Sequence, residues 1–162
     1  ELKLAADARM GRDWQLLFDG NAAWTRSVNR GEKFTPADQS VGKQLPYEPE
    51  YSATATGRLS WRSWGLLYQF CYYSERYTMS SNDITLTGRL TPYVMNNLSL
   101  EKGFAFRRAD LSLKATINNL FNEKYETNAW VYSYIENGTR KKDDGYFTQA
   151  GTNAMARITF KF

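Results

Sequence analysis

Seven segments of the chain alternate between apolar and polar residues, a period typical of β-strands with two different faces. The segment 153–162 is the most regular, because its apolar residues all fall on one face and mostly polar residues on the other. Apolar residues at helical spacing are not sustained anywhere, so we predict an all-β fold. The predicted strands lie at 1–10, 14–24, 51–61, 66–75, 94–101, 111–118 and 153–162.

The connections between these strands alternate between short and long. Short ones are predicted around 11–13, 62–64 and 103–110. Long ones, without a clear pattern, are predicted around 26–50, 78–89 and 120–150. This alternation favours antiparallel neighbours with tight turns on one side and large loops on the other, as in transmembrane β-barrels.

Aromatic residues recur at a spacing that fits a membrane. Trp14 and Trp24 lie ten residues apart on one strand face, and Tyr51 and Trp61 repeat that spacing on the next strand. Ten residues of a tilted strand rise roughly 25 Å, the height of the apolar band between the two aromatic girdles of an outer-membrane barrel. A soluble β-sandwich or a lipocalin-like barrel would also alternate and stays open as an alternative.

The opposite face of the strands is polar, and we expect Asp19, Arg58 and Lys114 to face a polar interior. A small barrel packs its interior with side chains, so charges there indicate a wide lumen that seven strands cannot enclose. The chain also starts within an alternating strand. We therefore expect an arc of a larger barrel, whose two edge strands pair with strands outside the sequence rather than with each other.

Composition excludes several functions. The net charge of +4 is scattered, so we predict no nucleic-acid partner, and the absence of histidine removes imidazole catalysis and imidazole metal ligation. The single cysteine, Cys71, has aromatic neighbours and is interpreted as a packing residue. No apolar run reaches the ~18 residues of a helical membrane span. We expect neither an enzyme nor a bound cofactor.

Three stretches resemble TonB-dependent outer-membrane receptors. "GKQLPYEPEYSATATGRLSW" (42–61) is similar to a proline-containing loop that enters a strand, and "LSLKATINNLFNEKYE" (111–126) to the next-to-last strand with its Asn-Leu-Phe-Asn exit. "YFTQAGTNAMARITFKF" (146–162) resembles the last strand, which ends on phenylalanine. Residues 1–41 resemble this family only in their alternation of apolar and polar residues.

This resemblance implies a barrel of about 22 strands with a plug, of which the chain is the C-terminal arc, 1–162, without the plug. It implies import of a scarce nutrient (siderophore, haem, cobalamin or glycan) across the bacterial outer membrane with energy from TonB. Implied partners are the lipid bilayer, the other strands and plug of the receptor, TonB through that plug, the barrel-assembly machinery and a surface lipoprotein. The assembly signal would comprise Ile158, Phe160 and Phe162, with Arg157 standing where a small residue is common.

The loop 120–150 carries the candidate ligand residues Tyr125, Trp130, Tyr132 and Tyr134. Such aromatics would line a ligand mouth by stacking, or would pack the loop against its neighbours. The run 140–145 is predicted to be a solvated loop tip, and a calcium site at Asp143 and Asp144 is not favoured, because spaced oxygen ligands are lacking. A passive porin and an outer-membrane enzyme barrel remain alternatives to the receptor.

Overall fold

The computed structural model describes residues 1–33, 36, 38–79 and 88–162, which form eleven β-strands. Because the sequence alternates with period two, each long strand has one mainly apolar face and one mainly polar face. The strands are β1 (Leu2–Met10), β2 (Trp14–Trp24), β3 (Tyr51–Trp61), β4 (Trp64–Tyr73), β5 (Arg76–Tyr77), β6 (Arg89–Leu90), β7 (Tyr93–Ala105), β8 (Asp110–Asn118), β9 (Glu126–Glu136), β10 (Thr139–Thr148) and β11 (Asn153–Lys161).

Seven of the strands form one antiparallel sheet in the order β1-β2-β3-β4-β7-β8-β11. Each strand of this sheet pairs with the next sheet strand along the chain, and β5–β6 and β9–β10 form two separate two-stranded sheets within the loops. This confirms the predicted all-β antiparallel arrangement. β1 pairs with β2 and β11 with β8, and no ladder among the described residues joins β1 to β11. The expectation that these two strands do not close a seven-stranded barrel is therefore confirmed.

The prediction for the loop 120–150 was wrong in one respect: a β-hairpin of β9 and β10 lies within it. Asn137 and Gly138, with φ of 52° and 75°, form its tip, which is the Asn-Gly turn typical of tight hairpins. The run 140–145, predicted to be the loop tip, lies within β10 instead. Consecutive charges hid the alternation of β10, since a hairpin that projects into solvent needs no apolar face on both strands.

The pairing register of the sheet separates a polar face from an apolar face. Asp19 is opposite Thr56, and Arg58 is opposite Leu67, so both charged residues lie on the polar face with Lys114. That this face lines a polar interior remains a prediction. Two polar residues, Asn96 and Lys102, lie on the apolar face. The Tyr68 hydroxyl donates a hydrogen bond to Asn96, and Lys102 sits at the short-turn end with its Nζ 4.6 Å from the Trp64 ring centroid.

The apolar face of the sheet is not covered by any other described part of the chain. Leu2 is 58% exposed, Leu100 47% and Phe160 66%, so large side chains along the whole sheet face outwards. The buried apolar residues lie instead at the long-loop end, and only Leu90 among the described large side chains is fully buried. A soluble sandwich would bury this face against a second sheet. None of the described residues forms a helix long and apolar enough to cross a membrane.

Candidate functional site

The predicted girdle aromatics form two groups at opposite ends of the apolar face. Trp14 is directly opposite Trp61 with ring centroids 5.5 Å apart, and Trp64 extends this group at the short-turn end. Trp24 is opposite Tyr51 at the long-loop end, and its indole Nε1 donates a 3.0 Å hydrogen bond to Glu50. Their placement in an interface belt remains a prediction.

The long-loop end is organised around the Asn-Leu-Phe-Asn run at 119–122. Asn119 is 3% exposed and has a φ of 51°. Its Nδ2 donates to the carbonyls of Glu123 (2.9 Å) and Ala150 (3.2 Å), and its Oδ1 accepts from the Glu123 N–H at 2.8 Å. The Thr152 hydroxyl donates to the Asn119 carbonyl at 2.7 Å. One side chain therefore joins the exit of β8 to the entry of β11, and the hairpin projects between them.

Arg76 fixes the base of the hairpin. Its guanidinium is buried and donates to the carbonyls of Glu126 (3.0 Å) and Thr127 (3.2 Å). It also lies 5.2 Å from the centroid of the Tyr93 ring, which stacks on Tyr125 at 4.3 Å. A planar, always charged guanidinium suits this combination of two carbonyls and one ring face better than an ammonium would.

Tyr125 therefore belongs to this base rather than to an exposed surface. It is 8% exposed, and burial raises the pKa of its hydroxyl. A second loop contributes Tyr47, whose hydroxyl donates a 2.6 Å hydrogen bond to the Ala129 carbonyl. Arg89 of the third loop is paired with both carboxylate oxygens of Glu75, which raises the pKa of the guanidinium. The Arg89–Glu75 pair lies within the third loop, whereas Arg76 and Tyr47 hold the hairpin in place.

The other three candidate residues, Trp130, Tyr132 and Tyr134, lie on one face of β9. Tyr132 and Tyr134 stack with centroids 5.9 Å apart, and Trp130 and Tyr132 are 50% and 63% exposed. Trp130 covers Gly145 on β10, where an added Cβ would lie 2.4 Å from the indole Nε1, so only glycine fits beneath that ring. We call this row of three rings the aromatic ladder.

The opposite face of the hairpin packs against the other long loops. Ala129 is 4% exposed, and a Cβ built at Gly88 would lie against the Tyr146 hydroxyl. Near the tip, Ile135 is 76% exposed on this same face. The aromatic ladder is therefore the side of the hairpin that remains available to a ligand.

The described residues contain no group of three or more Asp, Glu, Cys or His side chains placed to hold a metal ion. Asp144 lies 3.1 Å from Lys142 Nζ on β10. Cys71 is partly buried in β4 and is a free thiol.

The family comparison identifies the larger group to which the fold belongs. The family model described as "TonB dependent receptor-like, beta-barrel" matches residues 1–120, which is most of the sheet. The chain belongs to this family. The match ends at the Asn-Leu-Phe-Asn run, and the hairpin and β11 lie beyond it.

Two solved structures of receptor proteins share the fold. The ferric citrate transporter FecA in its unliganded form superposes with a TM-score of 0.64 over 92% of this chain and 21% of FecA, at 16% identity. The ferric yersiniabactin uptake receptor FyuA from Yersinia pestis gives a TM-score of 0.54 over 98% of this chain and 22% of FyuA, at 20% identity. The chain thus spans about a fifth of either structure. A search of curated protein sequences gave no match.

Sequence reasoning missed the residues that hold the receptor hairpin. Arg76 and Tyr47 stand in loops without periodicity, and nothing local distinguishes a guanidinium that bonds backbone carbonyls from a solvated one. Asn119 was found only through the family motif. Its position directly after an alternating strand could have indicated a turn, because asparagine is among the few residues that adopt a left-handed conformation readily.

Proposed function

We propose that this chain is the C-terminal part of the barrel wall of a TonB-dependent uptake receptor in the bacterial outer membrane. The exposed apolar face of the seven-stranded sheet carries this proposal, because a lipid bilayer is the environment that such a face fits. An eleven-residue strand tilted by about 40° rises roughly 25 Å, which matches the apolar band of an outer membrane. The plug and the remaining strands would come from outside this chain.

Family membership supports active uptake over a passive pore. FecA is a ferric citrate transporter and FyuA a ferric yersiniabactin uptake receptor. In this proposal, TonB acts through the plug, and the imported nutrient is a siderophore, haem, cobalamin or glycan. A lipoprotein that covers the surface loops is a further partner of the same proposal.

The short-turn end, where β11 finishes, supports a role in assembly. Ile158 and Phe160 are 63% and 66% exposed on the apolar face of the edge strand β11, and Phe162 follows them. An unpaired strand with alternating apolar residues is a template for strand addition. We assign this edge to recognition by the barrel-assembly machinery, before the first strand of the barrel pairs with it.

Adjacent leucines of β4 test which face meets lipid. Leu66 lies on the apolar face and Leu67 on the polar face opposite Arg58. In the complete receptor, a spin label at Leu66→Cys is expected to collide with oxygen dissolved in the bilayer. A label at Leu67→Cys is expected to collide with a water-soluble nickel chelate instead. Equal accessibility of both labels to the nickel chelate would refute the membrane assignment.

The aromatic ladder is the proposed ligand contact at the cell surface. Flat ring faces stack on ring-shaped or planar ligands, and each such contact contributes about 0.5–1.5 kcal/mol. The double substitution Trp130→Ala with Tyr132→Ala is therefore expected to weaken ligand capture about 5- to 150-fold. Growth of bacteria on limiting single sources of iron, cobalamin or glycan would measure this against a strain that lacks the receptor gene.

Ile135→Ala provides the matched control for this experiment, because Ile135 is more exposed than either ring but lies on the other face of β9. It should leave growth unchanged on the nutrient for which the deletion strain fails. If the double variant grows as well as the unmodified strain on that nutrient, the ladder is not the ligand contact.

A further inference from the structure

Two cations meet on the polar face, halfway along the last two strands of the sheet, without an acid between them. Lys114 is the middle residue of β8 and Arg157 the middle residue of β11. The two are directly opposite each other where these strands pair. Like charges in directly opposed positions destabilise a strand pair. An anion close to both would relieve this repulsion.

The sheet supplies one carboxylate nearby, and it is already engaged. Glu101 is opposite Lys114 on β7, but it accepts a 2.7 Å hydrogen bond from the Ser112 hydroxyl and lies 3.7 Å from Arg58 Nη2. Arg58 reaches it across Gly65, which has no side chain to block the path. Glu101 therefore offsets Arg58, and in the described parts of the chain neither Lys114 nor Arg157 has an ion pair.

We infer that Lys114 and Arg157 bind a carboxylate of the plug; this rests on the proposed function, in which the polar face lines the lumen. A guanidinium presents a fork of donors that matches a carboxylate, and a neighbouring ammonium adds a second positive charge. Together they form a site for one aspartate or glutamate side chain that rises from the lumen towards the wall.

The depth of the pair favours the plug over a nutrient. Lys114 and Arg157 each stand four positions from either end of their strands, so at a tilt of about 40° roughly 10 Å of wall height lies between them and the long loops. At that depth a barrel of about 22 strands encloses a plug within its polar lumen. A ligand held on the aromatic ladder would be above this level.

A zero-length crosslink tests the contact directly. In outer-membrane vesicles that contain the complete receptor, a carbodiimide adds to carboxylates to give O-acylisoureas. An amine in contact attacks the acyl carbon and forms an amide, and the carbodiimide leaves as a urea. We expect mass spectrometry to find Lys114 joined to an aspartate or glutamate of the plug. In the Glu101→Gln receptor, which lacks the adjacent acid of the wall, the same crosslink should persist.

Lys114→Arg is the matched control, because it keeps the charge but cannot form the amide, so the crosslinked peptide should fall at least tenfold. A link only to Glu101, a link to the strand that pairs with β11, or no link at all would overturn the inference. Failure of the crosslink while the Leu66 and Leu67 labels behave as expected would reject the plug contact alone. Failure of those labels would reject the membrane barrel itself.

Discussion

Replacing Ala55 by arginine is expected to destabilise the receptor by about 2–4 kcal/mol, the cost of a cation on the lipid face near the bilayer midplane. Ala55 is central in β3 on the apolar face, opposite Gly20 and Phe70, and neither neighbour offers a counter-charge. Urea unfolding of the complete receptor in lipid vesicles would measure the loss, and the amount of folded protein in the outer membrane should fall with it.

Thr56→Arg is the control for this substitution. Thr56 is the next residue of β3, is buried to a similar degree, and lies on the polar face opposite Asp19 and Gln69. An arginine there would face water and a nearby carboxylate, so the free energy of unfolding should change by less than about 1 kcal/mol. Equal losses from both substitutions would contradict the assignment of the two faces.

Asn119→Ala is expected to release the hairpin from the barrel wall. The substitution removes three hydrogen bonds, those to the carbonyls of Glu123 and Ala150 and from the Glu123 N–H, at about 0.5–1.5 kcal/mol each. It also places alanine in a left-handed conformation that asparagine tolerates better. Hydrogen exchange of the Glu123 amide should accelerate at least 100-fold, which corresponds to about 3 kcal/mol.

Asn118→Ala is the control that separates this effect from the loss of any asparagine side chain. Asn118 Nδ2 makes an exposed hydrogen bond to Asn153 at 2.9 Å, so Asn118→Ala should change exchange at the hairpin base only slightly. Protection of the Glu123 amide that is unchanged in the Asn119→Ala receptor would show that the hairpin is held by Arg76 and Tyr47 alone.

Periodicity predicted the sheet because the two faces of its strands place each residue in one of two environments. In β3, every apolar residue from Tyr51 to Trp61 lies on one side of the strand, so the alternation of apolar and polar residues is complete. The hairpin escaped prediction because both of its strands lie in one polar environment, so its order depends on the Asn137-Gly138 turn and on contacts distant in sequence. Pairings such as Arg76 with Glu126 arise only when the loops are folded.

The candidate ligand residues show the same division. Trp130, Tyr132 and Tyr134 share one strand face, a relation that their two-residue spacing already contained. Tyr125 has the same residue type and lies in the same loop, yet it is buried against Tyr93. Composition could not distinguish them, because exposure depends on which loop residues pack beneath the hairpin.

The hairpin also shortens the path by which the chain folds. β11 must find β8 across the whole segment 119–152, and the loss of chain entropy on closure grows with the number of free residues. Once β9 and β10 have paired, only 119–125 and 149–152 remain free, about a third of that length. Closure then becomes easier by roughly 1 kcal/mol. The hairpin, which is proposed to capture nutrients at the cell surface, would thus first help folding by bringing β11 close to β8.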